Sequence, residues 1–238
     1  MSQYPYQGQQ PAWISAATDS EARVREFIRG VYAWMFGGLA LTTAAALWVW
    51  LSPAMQQIVL GNRFVFYGIL IAEFGLAMWV QARITHMKAS TAASAFLVYS
   101  LLNGLTLSVI LFIYTQGAIF QAFGTAALMF AGMAVFGYLT KRDLTSMGSF
   151  LIMGFWGVFI GFIVNIWLKS SMMEFILSAI GVIIFLGLTA YYNQQLKRMA
   201  TSSEYREHLS ILGALVLYIS FINLFLMLLR LFGGGNRR

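Results

Sequence analysis

The sequence predicts an all-α membrane protein, a bundle of about seven transmembrane helices. Of its 238 residues, 60% are hydrophobic and only 10% are charged, whereas a soluble domain carries about a quarter charged residues. The apolar residues fall in long runs, each close to the ~20 residues that a helix needs to cross the hydrocarbon core. Because lipid offers exposed backbone groups no hydrogen-bond partner, and the alternating segments of a β-barrel are not visible, these runs are expected to be helices.

The apolar runs divide the chain into seven predicted spans. They cover approximately residues 30–51, 64–81, 92–114, 119–139, 149–168, 173–192 and 211–232. The connections are short enough to make neighbouring spans antiparallel. The chain therefore has room for one transmembrane domain, residues 23–238.

Residues 1–22 are predicted to be a flexible polar tail. This stretch has no lysine or arginine, so it lacks the basic start of a secretory signal, and its composition is typical of a disordered segment. Within and after it, residues 19–29 are expected to form a short interfacial helix with Asp19 or Ser20 as its cap.

The basic residues predict the orientation of the spans. Ten lie on the side of the N-terminus and only Arg63 and Lys169 lie in the opposite loops, so the positive-inside rule places the N-terminus in the cytoplasm. Seven full spans would put the C-terminus outside, which Arg237 and Arg238 disfavour, and a re-entrant last segment is the alternative. The ten basic residues are Arg23, Arg25, Arg29, Arg83, Lys88, Lys141, Arg142, Lys197, Arg198 and Arg206.

Glu73 is the acidic residue that lies deepest in a predicted span, with about nine apolar residues on either side. Ionisable groups at that depth are rare and are commonly functional, so Glu73 is a candidate gating residue; the alternative is an interhelical hydrogen bond that only fixes packing. Arg83, at the end of the same span, is a further candidate of this kind, and a charge that only sets the orientation of the span is the alternative. Asn103 and Asn223 are further candidate pore-lining residues, for which packing hydrogen bonds are again the alternative.

No catalytic or cofactor-binding pattern is visible. Cysteine is absent, and His86 and His208 are expected in loops without partners, so we predict neither a metal site nor an enzyme. The basic residues are spread over short loops, which disfavours nucleic acid as a partner. Gly157 and Gly161 stand one helical turn apart, a spacing that favours close packing of helices.

Four segments resemble the Bax inhibitor-1 family, also called the transmembrane Bax inhibitor motif family, and most of all its bacterial inner-membrane members. The segments are LLNGLTLS at 101–108, YLTKRDLTSMGSFL at 138–151, GLTAYYNQQLKRM at 187–199 and SFINLFLMLLRLFG at 220–233. The resemblance implies six helices around a central C-terminal helix. It also implies a calcium leak in a bacterial inner membrane.

The resemblance further implies a proton-sensitive latch, in which two aspartates of the last two spans share a proton and an arginine joins them. Arg83 is the nearest match to that arginine, but Tyr192 and Ser220 stand at the two aspartate positions. Both side chains are neutral at physiological pH, so the latch cannot operate as in the family. Two functions therefore stay open: a calcium or other cation leak with altered gating, and a non-transporting regulator, such as a modulator of a membrane protease or of a stress response.

Overall fold

The computed structural model describes residues 12–83, 87–201 and 207–234, with the side chains of 12–20, 81, 207 and 208 left aside. The described residues form helices and no strand longer than an isolated bridge. The helices are α1 (Ala12–Leu51), α2 (Pro53–Val59), α3 (Arg63–Arg83), α4 (Ala89–Leu107), α5 (Ile110–Ile113), α6 (Gln116–Leu139), α7 (Thr145–Leu168), α8 (Ser171–Thr201) and α9 (Glu207–Gly233).

Seven candidate spans occur within the described residues, where α4 and α5 together count as one span. Each is long and apolar enough to cross a membrane. The predicted all-α bundle with seven spans is therefore confirmed, and the protein is a multi-pass integral membrane protein surrounded by lipid.

Predicted boundaries differ from the observed helices in α8, which runs nine residues beyond the predicted end at residue 192, and at the N-terminus. The predicted interfacial helix at residues 19–29 does not exist as a separate element, because α1 runs without a break from Ala12 to Leu51. No proline interrupts this stretch, so nothing in the backbone forces a break there. Helix α1 therefore includes residues 12–22 of the predicted tail, whereas residues 1–11 lie outside the described part of the chain.

The third span is interrupted near its end. Helix α4 ends at Leu107, and the chain tightens because the amide of Leu111 donates to the carbonyl of Ser108 at 3.0 Å. The Ser108 hydroxyl also donates to the carbonyl of Leu105 at 2.6 Å. Serine competes locally for backbone groups in this way, and the short helix α5 follows.

Helix α9 is the most buried of the spans. Of its most apolar 18-residue window, 72% is buried inside the protein, against 6% for α3 and 11% for α7. It packs against α1, α4, α6 and α8, whereas α3 packs mainly on α4 and α7 mainly on α8. A helix that is apolar all round belongs in such a core. The implied ring of six helices around α9 stays a prediction, but its 27 uninterrupted residues favour a full span over a re-entrant segment.

The closest helix approaches occur at two glycines, Gly104 and Gly137. A Cβ atom at Gly104 would overlap the backbone of Thr42 in α1, and one at Gly137 would overlap the backbone of Ala190 in α8. Of the spaced pair in α7, by contrast, Gly157 has no atom within 4 Å of an added Cβ, and Gly161 faces only a leucine side chain. Of the spaced pair, Gly161 therefore lies at a close contact with α8, made by the Leu177 side chain and not by backbone, and Gly157 does not.

The loop between α6 and α7 is bound to α8 by Gln194. Its side-chain amide donates to the carbonyl of Arg142 at 2.6 Å, and its Oε1 accepts from the amide of Leu144 at 2.9 Å. Arg198, one turn further along α8, pairs with Asp143 at 2.8 Å. Two of the segments that carry the family resemblance, 138–151 and 187–199, are therefore in direct contact.

Asp143 in this loop is expected to titrate with a pKa of about 2, below its ordinary value of 3.8. The main cause is the pair of hydrogen bonds from the hydroxyl and the amide of Thr145, at 2.6 and 2.9 Å, and Arg198 adds a smaller effect. Because folding lowers the pKa of Asp143, its ionised carboxylate stabilises the folded protein. This contribution to the free energy of unfolding is complete above pH 4 and is lost as the pH falls towards 2. Carboxyl NMR titration should show a larger rise in pKa for Thr145→Val than for Arg198→Gln; the reverse order would contradict this assignment.

Candidate functional site

Glu73 lies at the middle of α3, about ten residues or ~15 Å from either end at 1.5 Å per residue. Its side chain is half-buried and turned towards α4. The side-chain amide of Asn103 donates to Oε1 of Glu73, and the hydroxyl of Thr106 donates to Oε2 at 3.1 Å. Asn103 and Thr106 are three residues apart, so they lie on one face of α4 and hold the two carboxylate oxygens together.

Asn103 continues the hydrogen-bond chain into the core. Its Oδ1 accepts from the hydroxyl of Tyr218 in α9 at 3.0 Å, and that hydroxyl lies 2.5 Å from the hydroxyl of Thr42 in α1. We call the five residues Thr42, Glu73, Asn103, Thr106 and Tyr218 the Glu73 network. It joins α1, α3, α4 and α9 near the middle of the predicted membrane layer.

The inner end of the Glu73 network is enclosed by aromatic rings. Tyr218 is fully buried, and the rings of Phe96 and Tyr99 meet it edge to face, with centroids 5.7 and 5.8 Å away. Edge-to-face contacts of this kind are favourable. Within the described part of the chain, no buried side-chain nitrogen or oxygen lacks a hydrogen-bond partner. The network is thus a fully satisfied polar chain in an apolar core, the arrangement that makes such a group stable there.

The hydrogen bonds around Glu73 suit both of its protonation states. An ionised carboxylate accepts from Asn103 and from Thr106, as described. A protonated carboxyl can instead donate through Oε2 to the Thr106 hydroxyl, because that hydroxyl can turn its own proton to the carbonyl of Asn103, 3.0 Å away. The titratable side chains that face Glu73 are Tyr99 of α4 and Tyr218 of α9.

Of the predicted site residues, the structure brings together Glu73 and Asn103. Arg83 is exposed at the end of α3, and no hydrogen bond or ion pair between described residues joins it to Glu73. The amide of Asn223 donates to the carbonyl of Ile219 at 2.8 Å, one turn back along its own helix. Arg83 and Asn223 therefore lie outside the Glu73 network.

The two latch positions are also separate in their hydrogen bonding. Tyr192 is half-buried with its ring 5.2 Å from that of Tyr191, and the buried Ser220 donates to the carbonyl of Val216 at 2.9 Å. No hydrogen bond among the described residues connects Tyr192 with Ser220 or with the Glu73 network. The contacts named for these two side chains are therefore within their own helices, α8 for Tyr192 and α9 for Ser220.

Sequence reasoning missed Thr42, Thr106 and Tyr218. Thr106 had a usable signal, because it lies three residues after Asn103 and so shares its helix face. Thr42 and Tyr218 had none: both stand in apolar runs, 176 residues apart, and only the packing of α1 against α9 brings their hydroxyls together.

Metal chemistry at this site is limited by the number of charged ligands. Among the described residues, no group of three or more histidine, aspartate or glutamate side chains is close enough to hold a metal ion. Glu73 supplies one carboxylate, and Asn103, Thr106 and Tyr218 supply neutral oxygens. Such a set suits a hard cation that passes or binds weakly rather than a resident ion.

Comparison with known proteins finds one family model and several relatives that match most of this chain. The family model described as "Inhibitor of apoptosis-promoting Bax1" matches residues 24–237. The chain is 42% identical over 222 residues to the inner membrane protein YbhL of Escherichia coli, which covers 91% of this chain and 94% of that protein. It is 40% identical over 212 residues to a protein of Borreliella burgdorferi, covering 87% and 91% of the two chains, and 38% identical over 218 residues to one of Rickettsia prowazekii, covering 90% and 91%.

Proposed function

Because this chain belongs to the Bax inhibitor-1 family, we propose that it is a cation leak of a bacterial inner membrane, gated at Glu73 instead of at an aspartate latch. The observation that carries this proposal is the Glu73 network, in which a carboxylate at mid-membrane depth is bonded to two side chains of α4 and is linked through Asn103 to Tyr218 of α9 and Thr42 of α1. Calcium is the proposed ion, since carboxylate, amide and hydroxyl oxygens suit a hard divalent cation. The membrane location is proposed because the Escherichia coli relative YbhL is an inner membrane protein.

A cation can reach the carboxylate only if the donors on Glu73 turn away. Rotation of the Asn103 side chain by half a turn would present Oδ1 towards Glu73 and its NH₂ group towards Tyr218. The Tyr218 hydroxyl could then accept from Asn103 and donate to Thr42, 2.5 Å away, while Thr42 donates to the carbonyl of Gly38 or Ser100, each at 2.9 Å. With a cation between Oδ1 of Asn103 and Oε1 of Glu73, every polar group keeps a partner in this second arrangement, whereas without the cation these two acceptors would face each other.

Protonation of Glu73 is proposed to close this route. A neutral carboxyl attracts a divalent cation weakly; it accepts from the Asn103 amide through Oε1 and donates through Oε2 to the Thr106 hydroxyl, so both of its oxygens are bonded within the protein. Cation flux is therefore expected to rise as the pH rises through the titration of Glu73. Tyr99 and Tyr218, the titratable groups facing it, are neutral in the physiological range.

The test is calcium flux into liposomes that contain the purified protein, measured with an internal calcium dye from pH 5.5 to 8. Glu73→Gln should lower the flux about tenfold, equivalent to ~1.4 kcal/mol, and should flatten its pH dependence, because glutamine keeps the shape and loses the charge. Glu174→Gln, at the start of α8, is the matched control and should behave as the parent. An unchanged pH profile in Glu73→Gln would remove Glu73 from the gating role.

The second candidate function is a non-transporting regulator, such as a modulator of a membrane protease or a stress response. It is favoured by Tyr192 and Ser220, which leave no carboxylate at the proposed latch positions. If the parent protein gives no flux at any pH while the double variant Tyr192→Asp with Ser220→Asp does, native transport is excluded and the regulator is the better proposal.

A further inference from the structure

A groove separates α1 from α6 on the outside of the bundle. The two helices make at most marginal contact with each other; each packs instead on α8 and α9, which form the floor of the groove. The cavity has a volume of about 690 Å³. Its α1 wall runs from Ile28 to Thr43, about 22 Å at 1.5 Å per residue, which is the depth of one leaflet of a bilayer of ~40–45 Å with headgroups.

The walls and floor of the groove are apolar. The α6 wall carries Phe123, Ala131 and Val135, and Phe221 contributes to the floor. Of the polar lining side chains, Tyr32 donates its hydroxyl to Oδ1 of Asn193 at 2.7 Å, the Asn193 amide donates to the carbonyl of Thr189 at 2.8 Å, and the Thr43 hydroxyl donates to the carbonyl of Leu39 at 2.9 Å. The groove therefore offers a hydrocarbon chain a long apolar surface, and most of its few polar side chains are already bonded within the protein.

The end of the groove on the N-terminal side is basic. Arg25 and Arg29 precede the lining residues Ile28 and Tyr32 by three residues each, so both lie on the groove face of α1, and both are exposed. The Nε of Arg25 has one long contact, 3.5 Å, with the carbonyl of Glu21.

A third cation is fixed at the same mouth from the other wall. The Lys197 ammonium donates to the carbonyl of Tyr138 at 2.8 Å and lies 4.6 Å from the centroid of its ring, and Tyr138 lines the groove. Within the described part of the chain, Lys197 has no carboxylate partner. The nearby Asp143 is already paired with Arg198. The mouth therefore carries positive charge that an anion would neutralise.

We propose that this groove holds one acyl chain of an anionic phospholipid of the N-terminal-side leaflet, with the lipid phosphate among Arg25, Arg29 and Lys197. The apolar walls match the acyl chain in length, and the three cations, which form no ion pair with a described carboxylate, match the headgroup in charge. A basic residue close to an anionic lipid surface contributes about a fivefold gain in binding. This inference does not depend on ion conduction.

The test is native mass spectrometry of the purified full-length protein after removal of bound lipid and addition of phosphatidylglycerol or phosphatidylcholine with identical chains. One phosphatidylglycerol should be retained in preference to phosphatidylcholine. Arg25→Gln and Arg29→Gln should each reduce this retention about fivefold. Arg23→Gln, which removes an exposed arginine from the opposite face of the same helix, should leave it unchanged.

The position of the bound lipid is tested with substitutions that fill the groove. The double variant Ala40→Phe with Ala131→Phe places a ring on each wall and should abolish the retained lipid, whereas Ala72→Phe, exposed on α3, which does not line the groove, should retain it. Equal retention of the two lipids, or a lipid that survives the filled groove, would overturn the proposal. A dimer that forms without lipid and is lost on filling would assign the groove to a second copy instead. Because the arginine variants change only exposed residues, they test the proposal even if the filled variant does not fold.

Discussion

Replacement of Asn103 by leucine is expected to destabilise the protein by about 2 kcal/mol. Asn103 is the residue through which α3, α4 and α9 are joined, because its amide donates to Glu73 and its Oδ1 accepts from Tyr218. Leucine has a similar size but neither group. Glu73 would keep only the bond from Thr106 in an apolar environment, and the Tyr218 hydroxyl would lose Asn103 as its acceptor.

The measurement is the free energy of unfolding in mixed detergent micelles, compared with Asn223→Leu. Asn223 has the same side chain on a buried helix, but its amide donates only to the carbonyl of Ile219 in its own helix. Asn223→Leu should lower the free energy of unfolding by well under half as much as Asn103→Leu. A double-mutant cycle of Asn103→Leu with Glu73→Gln should show coupling; additive effects, or equal costs for the two asparagines, would show that the Glu73 network does not join the helices.

Replacement of Gly137 by alanine is expected to destabilise the protein by about 1–3 kcal/mol, the usual cost of overpacking. The new methyl group would overlap the carbonyl oxygen and lie 2.7 Å from the Cα atom of Ala190. Both atoms belong to the backbone of α8, so no side-chain rotation can relieve the overlap. Helices α6 and α8 would have to move apart, which also widens one side of the contact with α9.

The control for this substitution is Gly132→Ala in the same helix. An added methyl group at Gly132 has no atom within 4 Å, and alanine is a better helix former than glycine by about 0.5–1 kcal/mol. Gly132→Ala should therefore be neutral or stabilising in thermal unfolding followed by circular dichroism. If both variants unfold at the same temperature, the close approach of α6 and α8 is not what holds this part of the bundle together.

Much of the fold could be predicted because lipid imposes strong local rules. A run of about twenty apolar residues has to be a helix wherever it crosses hydrocarbon, so the seven spans followed from composition along the chain. The boundaries were less predictable. Nothing in the sequence separates residues 12–29 from the helix that follows, and the interruption at Ser108 depends on a hydroxyl that bonds the backbone locally.

The candidate site was only partly predictable. Glu73 could be recognised from its depth alone, because an ionisable group in an apolar run is conspicuous at any position. Tyr192 and Ser220 stood out by family resemblance, yet hydrogen bonding ties neither of them to Glu73. Thr42 and Tyr218 carry ordinary side chains in apolar runs, and their importance arises only from their partners.

The sequence by itself determined that this protein is a bundle of membrane helices with one carboxylate deep inside. Those properties depend on the free energy of transferring side chains between water and lipid. That free energy is a property of each residue type and needs no knowledge of tertiary contacts. The tertiary structure decided which groups meet that carboxylate and where the bundle leaves a groove. Such contacts join residues 30 to 176 positions apart, and they depend on how helix surfaces fit together at residues such as Gly104 and Gly137, not on any local pattern.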